Sequence, residues 1–246
     1  MMDFETVWTI AKKDFSLLRT KKNLMYTLVA LPFGMGLGLP AVLWLVEMRN
    51  AAISFVDLSP LFSAFNFWFI IVASAVPAGM SSYSIVGEKV EKSLEPLLAT
   101  PATDGEILLG KSLASFLPSI GATYLGAAVF MVLIDVISGP QLGYLFYPNW
   151  DAAVFLFLAT PLACVFSVEL NIIVSSRVND MRAANQFGGL LVMPFAALYV
   201  LGEINVVPLT ANNLLIISAI LLLVDAFLFF VSRSTFRREE ILTKWK

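Results

Sequence analysis

Residues 103–134 read TDGEILLGKSLASFLPSIGATYLGAAVFMVLI, and two incompatible folds can be laid on them. Gly105, Gly110, Lys111 and Ser112 satisfy G-x-x-x-x-G-K-[ST], the formal pattern of a nucleotide-binding P-loop, and Met131 to Asp135 supplies a Walker-B-like run. That loop works only as a glycine-rich turn between a buried strand and a helix, with free backbone N–H groups aimed at phosphate. The other reading is one long helix. Thr103-Asp104-Gly105-Glu106 is a capping box, Thr103 at the N-cap and Glu106 at N3, so both glycines fall inside a helix that runs into the uncharged stretch 112–134. N–H groups bonded to helical carbonyls cannot cradle a phosphate, and Asp135 falls at the far end of that helix.

Composition extends the helical reading to the whole chain. Of 246 residues 59% are hydrophobic and 14% charged, against roughly 45–50% and about 25% in soluble domains. With a mean hydropathy of +0.83, the solvent that accepts this surface is lipid. The single cysteine, Cys164, excludes a disulfide framework and any multi-cysteine metal site. The absence of histidine removes the commonest general base and metal ligand. A histidine-dependent serine dyad is thereby excluded, and Asp135 and Asp225 lie at opposite depths, which argues against an aspartyl pair.

A helix rising 1.5 Å per residue needs about 20 apolar residues to cross a bilayer core. Six spans are expected, at about 24–46, 60–86, 112–136, 152–175, 185–202 and 209–232. The fifth is expected to be short or re-entrant, because only Glu203 separates its run from the next and Asn205 and Pro208 favour a break nearby. Pro32, Pro77, Pro118, Pro161 and Pro194 fall within spans one to five and are expected to kink them. Trp44, Tyr144, Tyr147 and Trp150 lie near outer span ends, as an aromatic belt would. Of 16 basic residues only Arg49 falls between spans on the outer side, so the positive-inside rule puts both termini in the cytoplasm, in the cell membrane. The first apolar run starts only at residue 24, after a charged stretch, and is long enough to span; it reads as a retained helix, not a cleaved signal.

Two polar segments border these spans on the basic side. In residues 1–22, Phe4, Trp8, Ala11, Phe15 and Leu18 recur every three or four positions with Lys12 and Arg19 off the stripe, the pattern of a helix lying along the membrane surface. In the loop 87–111, Val90, Leu94, Leu97 and Leu98 form an apolar stripe with Glu88, Glu91, Lys92 and Glu95 elsewhere on the surface. Pro96 and Pro101 interrupt it, so the loop is expected to be a short helix, a break and a second helix start.

These segments carry a resemblance. Ile85-Val86-Gly87-Glu88, then Ser93 to Pro101, then Glu106 to Lys111 are similar to the first cytoplasmic loop of ABC-2 type transporter permeases. Ser175 to Gln186 resembles that family's segment between spans four and five, Gly188 to Pro194 its fifth span, and Phe4 to Lys22 its interfacial helix. Ser93 stands where threonine is commoner. The resemblance implies an all-α, six-span permease forming one transmembrane domain over 1–246, which dimerises as a homodimer or heterodimer and docks separate ATP-hydrolysing subunits. It also implies that Glu88, Glu91, Lys92, Leu94, Glu95, Leu97, Leu98 and Thr100 couple the permease to the ATPase. On this reading no cofactor belongs to this chain; ATP and Mg sit on the partner.

Glu169 and Asp225 are the charges inside spans, about 10 Å from the inner edge, where ionised carboxylates are costly. They read either as a polar lining of the substrate path or as neutral packing groups hydrogen-bonded between helices. A stand-alone secondary transporter would use the same two as ion-coupling groups, but it predicts internal symmetry between spans one to three and four to six, which the sequence does not display.

Overall fold

The computed structural model describes residues 3–49, 54–93, 96–97, 99–178 and 180–235. Every regular element among them is helical: α1 (Phe4–Thr20), α2 (Lys22–Arg49), α3 (Phe55–Val90), α4 (Asp104–Leu142), α5 (Trp150–Arg177), α6 (Met181–Leu190), α7 (Met193–Glu203) and α8 (Ala211–Thr235). Six helical stretches are long and apolar enough to cross a membrane, α6 and α7 together making the fifth over Arg182–Glu203. That fifth stretch is broken where Leu191 and Val192 turn with i→i−3 bonds to Gly188 and Gly189. Pro194, which has no N–H to continue a helical ladder, stands at the start of the second half. Helix is continuous through Pro32, Pro77 and Pro118, whereas a π-turn at Phe155–Ala159 precedes Pro161.

The hub is α3. Its most apolar window is 61% buried, against 22% for α2 and 17% for α8, whose outer faces are left to lipid. Lipid is as apolar as leucine, so close packing and polar contacts hold such a bundle together more than the hydrophobic effect does. Both are visible. A Cβ at Gly36 would collide with the Gly126 carbonyl, and one at Gly126 would stand 2.5 Å from the Pro32 carbonyl oxygen, so α2 and α4 touch backbone to backbone. On α3, the Phe62 carbonyl and Asn66 Oδ1 accept from the Tyr147 hydroxyl at 2.9 and 3.1 Å, and the Ser74 carbonyl accepts from Ser167 at 2.5 Å. Tyr147 is thus a core residue, 3% exposed, and not part of the aromatic belt; Trp44, Tyr144 and Trp150 are exposed as the belt requires.

The two readings of residues 103–134 are resolved by α4. Thr103 Oγ1 accepts from the Glu106 N–H at 3.3 Å, Glu106 Oε2 accepts from the Thr103 N–H at 2.7 Å, and Gly105, Gly110 and Lys111 follow in the helix. Asp135 accepts the N–H groups of Phe146 and Tyr147 at 2.8 and 3.0 Å, holding the loop after α4 rather than facing a nucleotide.

Candidate functional site: the joined helix ends

The middle of α1 and the ends of α3, α4 and α5 on the side that carries the basic residues converge on two consecutive side chains, Glu88 and Lys89, each 3% exposed. Both follow a π-turn in α3 at Tyr83–Gly87, where one extra residue per turn re-aims the helix. Glu88 reaches two lysines. Its Oε2 accepts from the buried Lys111 ammonium at 2.7 Å and its Oε1 from the half-exposed Lys13 at 2.6 Å. Lys111 also donates to the Ser84 carbonyl at 2.6 Å and approaches Asp14 Oδ2 at 3.5 Å, and the Ser84 hydroxyl donates to that same oxygen at 2.5 Å. Two carboxylates and two ammoniums thus share one site, three of the four groups withdrawn from solvent, with α1, α3 and α4 each contributing charge.

Lys89 points the other way. Its ammonium donates to the carbonyls of Ser175, Ser176 and Val178 at 3.1, 2.8 and 3.3 Å, closing the C-terminal end of α5, where the helix dipole favours a cation. Among the described residues this ammonium has no carboxylate partner, and the three main-chain carbonyls hold it. Lys89→Met is expected to orphan three carbonyls and lower stability by about 1–3 kcal/mol, read as a lower thermal midpoint of the purified chain. A midpoint matching the unaltered chain would show that the contact contributes nothing.

The start of α4 is tied to α1 as well. Glu106 Oε1 accepts from the Asp3 N–H at 2.7 Å, and a Cβ at Gly110 would stand 2.8 Å from Ile10 and 3.0 Å from the Val7 carbonyl, so α1 crosses α4 at the very glycine of the false P-loop. Behind the crossing, Ile10, Ile85, Ile107, Leu108, Val168 and Ile172 form one apolar cluster on which half-buried Leu97 packs. An open cleft of about 630 Å³ runs between α1 and the segment 97–106.

Several expected placements change. Glu88, expected on the loop surface, is inside, because Lys111 and Lys13 neutralise it there. Glu91, Lys92 and Thr100 are exposed, as is Val90, while Leu94, Glu95 and Leu98 lie outside the described residues. Glu91 accepts from the Tyr83 hydroxyl at 2.6 Å and from Lys21 at 2.9 Å, and these two donors, the tyrosine first, hold its carboxyl below the usual carboxylate range. That contact is therefore present above the ordinary carboxylate pKa and is lost as pH falls through the lowered one. On α1 the face turned to the protein is Val7, Ile10, Ala11 and Asp14, and the expected stripe splits: Phe4 and Trp8 are exposed while Ala11 is buried. Asp14, Ser84 and Lys89 were not singled out from the sequence, and Lys111 was read only as the lysine of the formal P-loop pattern and not as an ion-pair partner. The available signal was a charged residue in phase with an apolar stripe, Asp14 following Val7, Ile10 and Ala11.

A family model described as ABC-2 family transporter protein matches residues 8–235. The chain belongs to the ABC-2 transporter family. No curated protein sequence matches it. As an ABC-2 permease it is a multi-pass membrane transporter, and its P-loop-like residues are accounted for by helix packing and a buried ion pair. The two carboxylates inside the permease's spans, Glu169 on α5 and Asp225 on α8, are both buried, on helices that pack against each other. Glu169 Oε2 and both Asp225 oxygens lack a hydrogen-bond partner among the described residues.

Proposed function

We propose that this permease is the transmembrane subunit of an ATP-driven exporter, dimerising with a second permease subunit and docking separate ATPase subunits, which bind ATP and Mg, on the face built from α1 and residues 88–106. Both termini lie in the cytoplasm. Family membership and the joining of four helices at Glu88 and Lys89 support this reading, the second being the observation that carries it. A push applied to α1 or to the end of α3 would pass through the Glu88–Lys111 contact into α4 and through Lys89 into α5. Exposed Val90, with Leu94 four positions on in the sequence, offers the apolar anchor of a helix-in-groove contact, and Glu91, Lys92, Glu95 and Thr100 give it register. Glu169 and Asp225 line the substrate path.

Affinity purification of the tagged chain from its native membranes, followed by an ATP-hydrolysis assay, tests the proposal. A soluble ATPase recovered at roughly equal molar amount is expected, falling at least tenfold for V90E/L94E while that variant still inserts. An unchanged yield of ATPase with V90E/L94E would remove the assigned docking segment. A clean chain that instead transports along an ion gradient without ATP would overturn the subunit assignment.

A further inference from the structure

A cavity of about 450 Å³ opens between the α1–α2 elbow, α3 and α6, lined among others by Lys21, Lys22, Asn23, Gly79, Tyr83 and Asn185. Its position is set by the sequence: Lys22 and Asn23 stand immediately before the first apolar run, and Asn185 in the opening turns of the fifth span. The cavity therefore sits at the membrane surface, on the side that carries the basic residues. Three lining or adjoining groups cancel one another, since Lys21 pairs with Glu91 at 2.9 Å and Tyr83 donates to the same carboxylate oxygen. Lys22 is different: it is exposed and has no ion pair among the described residues. The amides of Asn23 and Asn185, both exposed, line the cavity beside it. One uncancelled ammonium and two amide donors make a set that accepts a phosphodiester anion.

The deep side of the cavity is shaped for something longer than an ion. Leu24 and Gly79 close it, and a Cβ at Gly79 would come no nearer than 3.6 Å to Leu24. One turn further into the membrane from Asn185, a Cβ at Gly189 would meet nothing within 4 Å, and Met25 and Val29 expose apolar surface on α2. We propose that this cavity is a binding site for an anionic phospholipid of the adjacent leaflet, its phosphate held by Lys22, Asn23 and Asn185 and its acyl chains descending beside α2 and α6. Basic pockets between transmembrane helices at this level take acidic headgroups. The cavity adjoins the proposed ATPase-docking face, since Lys21 and Tyr83 on its wall also hold Glu91, but its own anion-accepting groups, Lys22, Asn23 and Asn185, are not part of that face.

Native mass spectrometry of the full chain in mild detergent, with dioleoyl phosphatidylglycerol or dioleoyl phosphatidylcholine added, tests it. Phosphatidylglycerol is expected to stay bound under activation that strips phosphatidylcholine. Its occupancy should fall about fivefold or more in K22Q/N185L, one basic residue's share of the attraction to an acidic lipid. G79L, which fills the cavity from the α3 side, should lower it similarly, and K12Q, an exposed charge elsewhere on α1, should leave it unchanged. Equal retention of the two lipids, wild-type occupancy in both K22Q/N185L and G79L, or an equal loss in K12Q would overturn the site. Displacement of phosphatidylglycerol by inorganic phosphate at equal molarity would also contradict it, making the cavity a site for a soluble anion.

Discussion

Replacing Lys111 by methionine is expected to lower the stability of the purified chain by about 3–5 kcal/mol, the largest effect of any single charge change in this protein. Methionine is close to lysine in length and volume, so packing is nearly kept, but among the described residues Glu88 is left with only the half-exposed Lys13 and Asp14 with only the Ser84 hydroxyl. An ionised carboxylate without a partner in that setting carries the full cost of its lost hydration. The check is the thermal midpoint in mild detergent, followed by loss of the folded peak on size exclusion. A second variant separates charge from shape: D14L/E88M/K111M removes the buried ions together and is expected to regain most of the lost stability, because apolar groups of similar volume replace buried ion pairs at little or no cost. If the triple variant were as unstable as K111M, the cluster would be holding the fold by shape and not by charge balance.

The next largest effect is expected at Gly110. Leucine there must displace Ile10 and the Val7 main chain, which stand 2.8 and 3.0 Å from where its Cβ would lie. Neither is the loose end of a flexible side chain, so α1 has to lift from α4, breaking with it the Asp3–Glu106 and Lys13–Glu88 contacts. G110L should therefore insert normally, since α4 stays apolar, yet expose the Lys12–Lys13 bond of α1 to trypsin and lower stability by about 1–3 kcal/mol. Gly121 and Gly139 lie on the same helix with nothing within 4 Å of an added Cβ, so G121L and G139L serve as controls expected to digest like the unaltered chain. Equal protease resistance of G110L would mean that α1 is not seated where the crossing puts it.

The six apolar stretches and the capping box at Thr103 were readable because each is written in consecutive residues: uncharged length sets a span, and a threonine three places before a glutamate sets a helix start. The turn after the fifth span was readable too: Asn205 and Pro208 lie between the end of α7 at Glu203 and the start of α8 at Ala211, and the break inside the fifth stretch comes just before Pro194, one of the prolines expected to kink its span. Facing was less legible. Periodicity reports that a side is apolar, not whether lipid or protein will cover it, and so Phe4 and Trp8 were grouped with Ala11 although only Ala11 meets the bundle. Tyr147 was misplaced for the same reason, its hydroxyl finding Phe62 and Asn66 across the bundle. The ionic site was beyond reach because Asp14 and Lys111 are 97 positions apart, and nothing local says that a lysine two turns into an apolar helix will meet an aspartate on a surface helix.

The most direct test of the proposed coupling face uses the single cysteine. With Cys164, which is fully buried, changed to alanine, a lone cysteine placed at exposed Val90 or at Arg49 can be labelled with a membrane-impermeant maleimide in sealed vesicles of either orientation. The proposal requires V90C to react only from the cytoplasmic side and to be shielded when the ATPase subunit is bound, while R49C reacts only from the opposite side and is indifferent to the ATPase. Labelling of V90C from outside, or at the same rate with and without the bound ATPase, would contradict it.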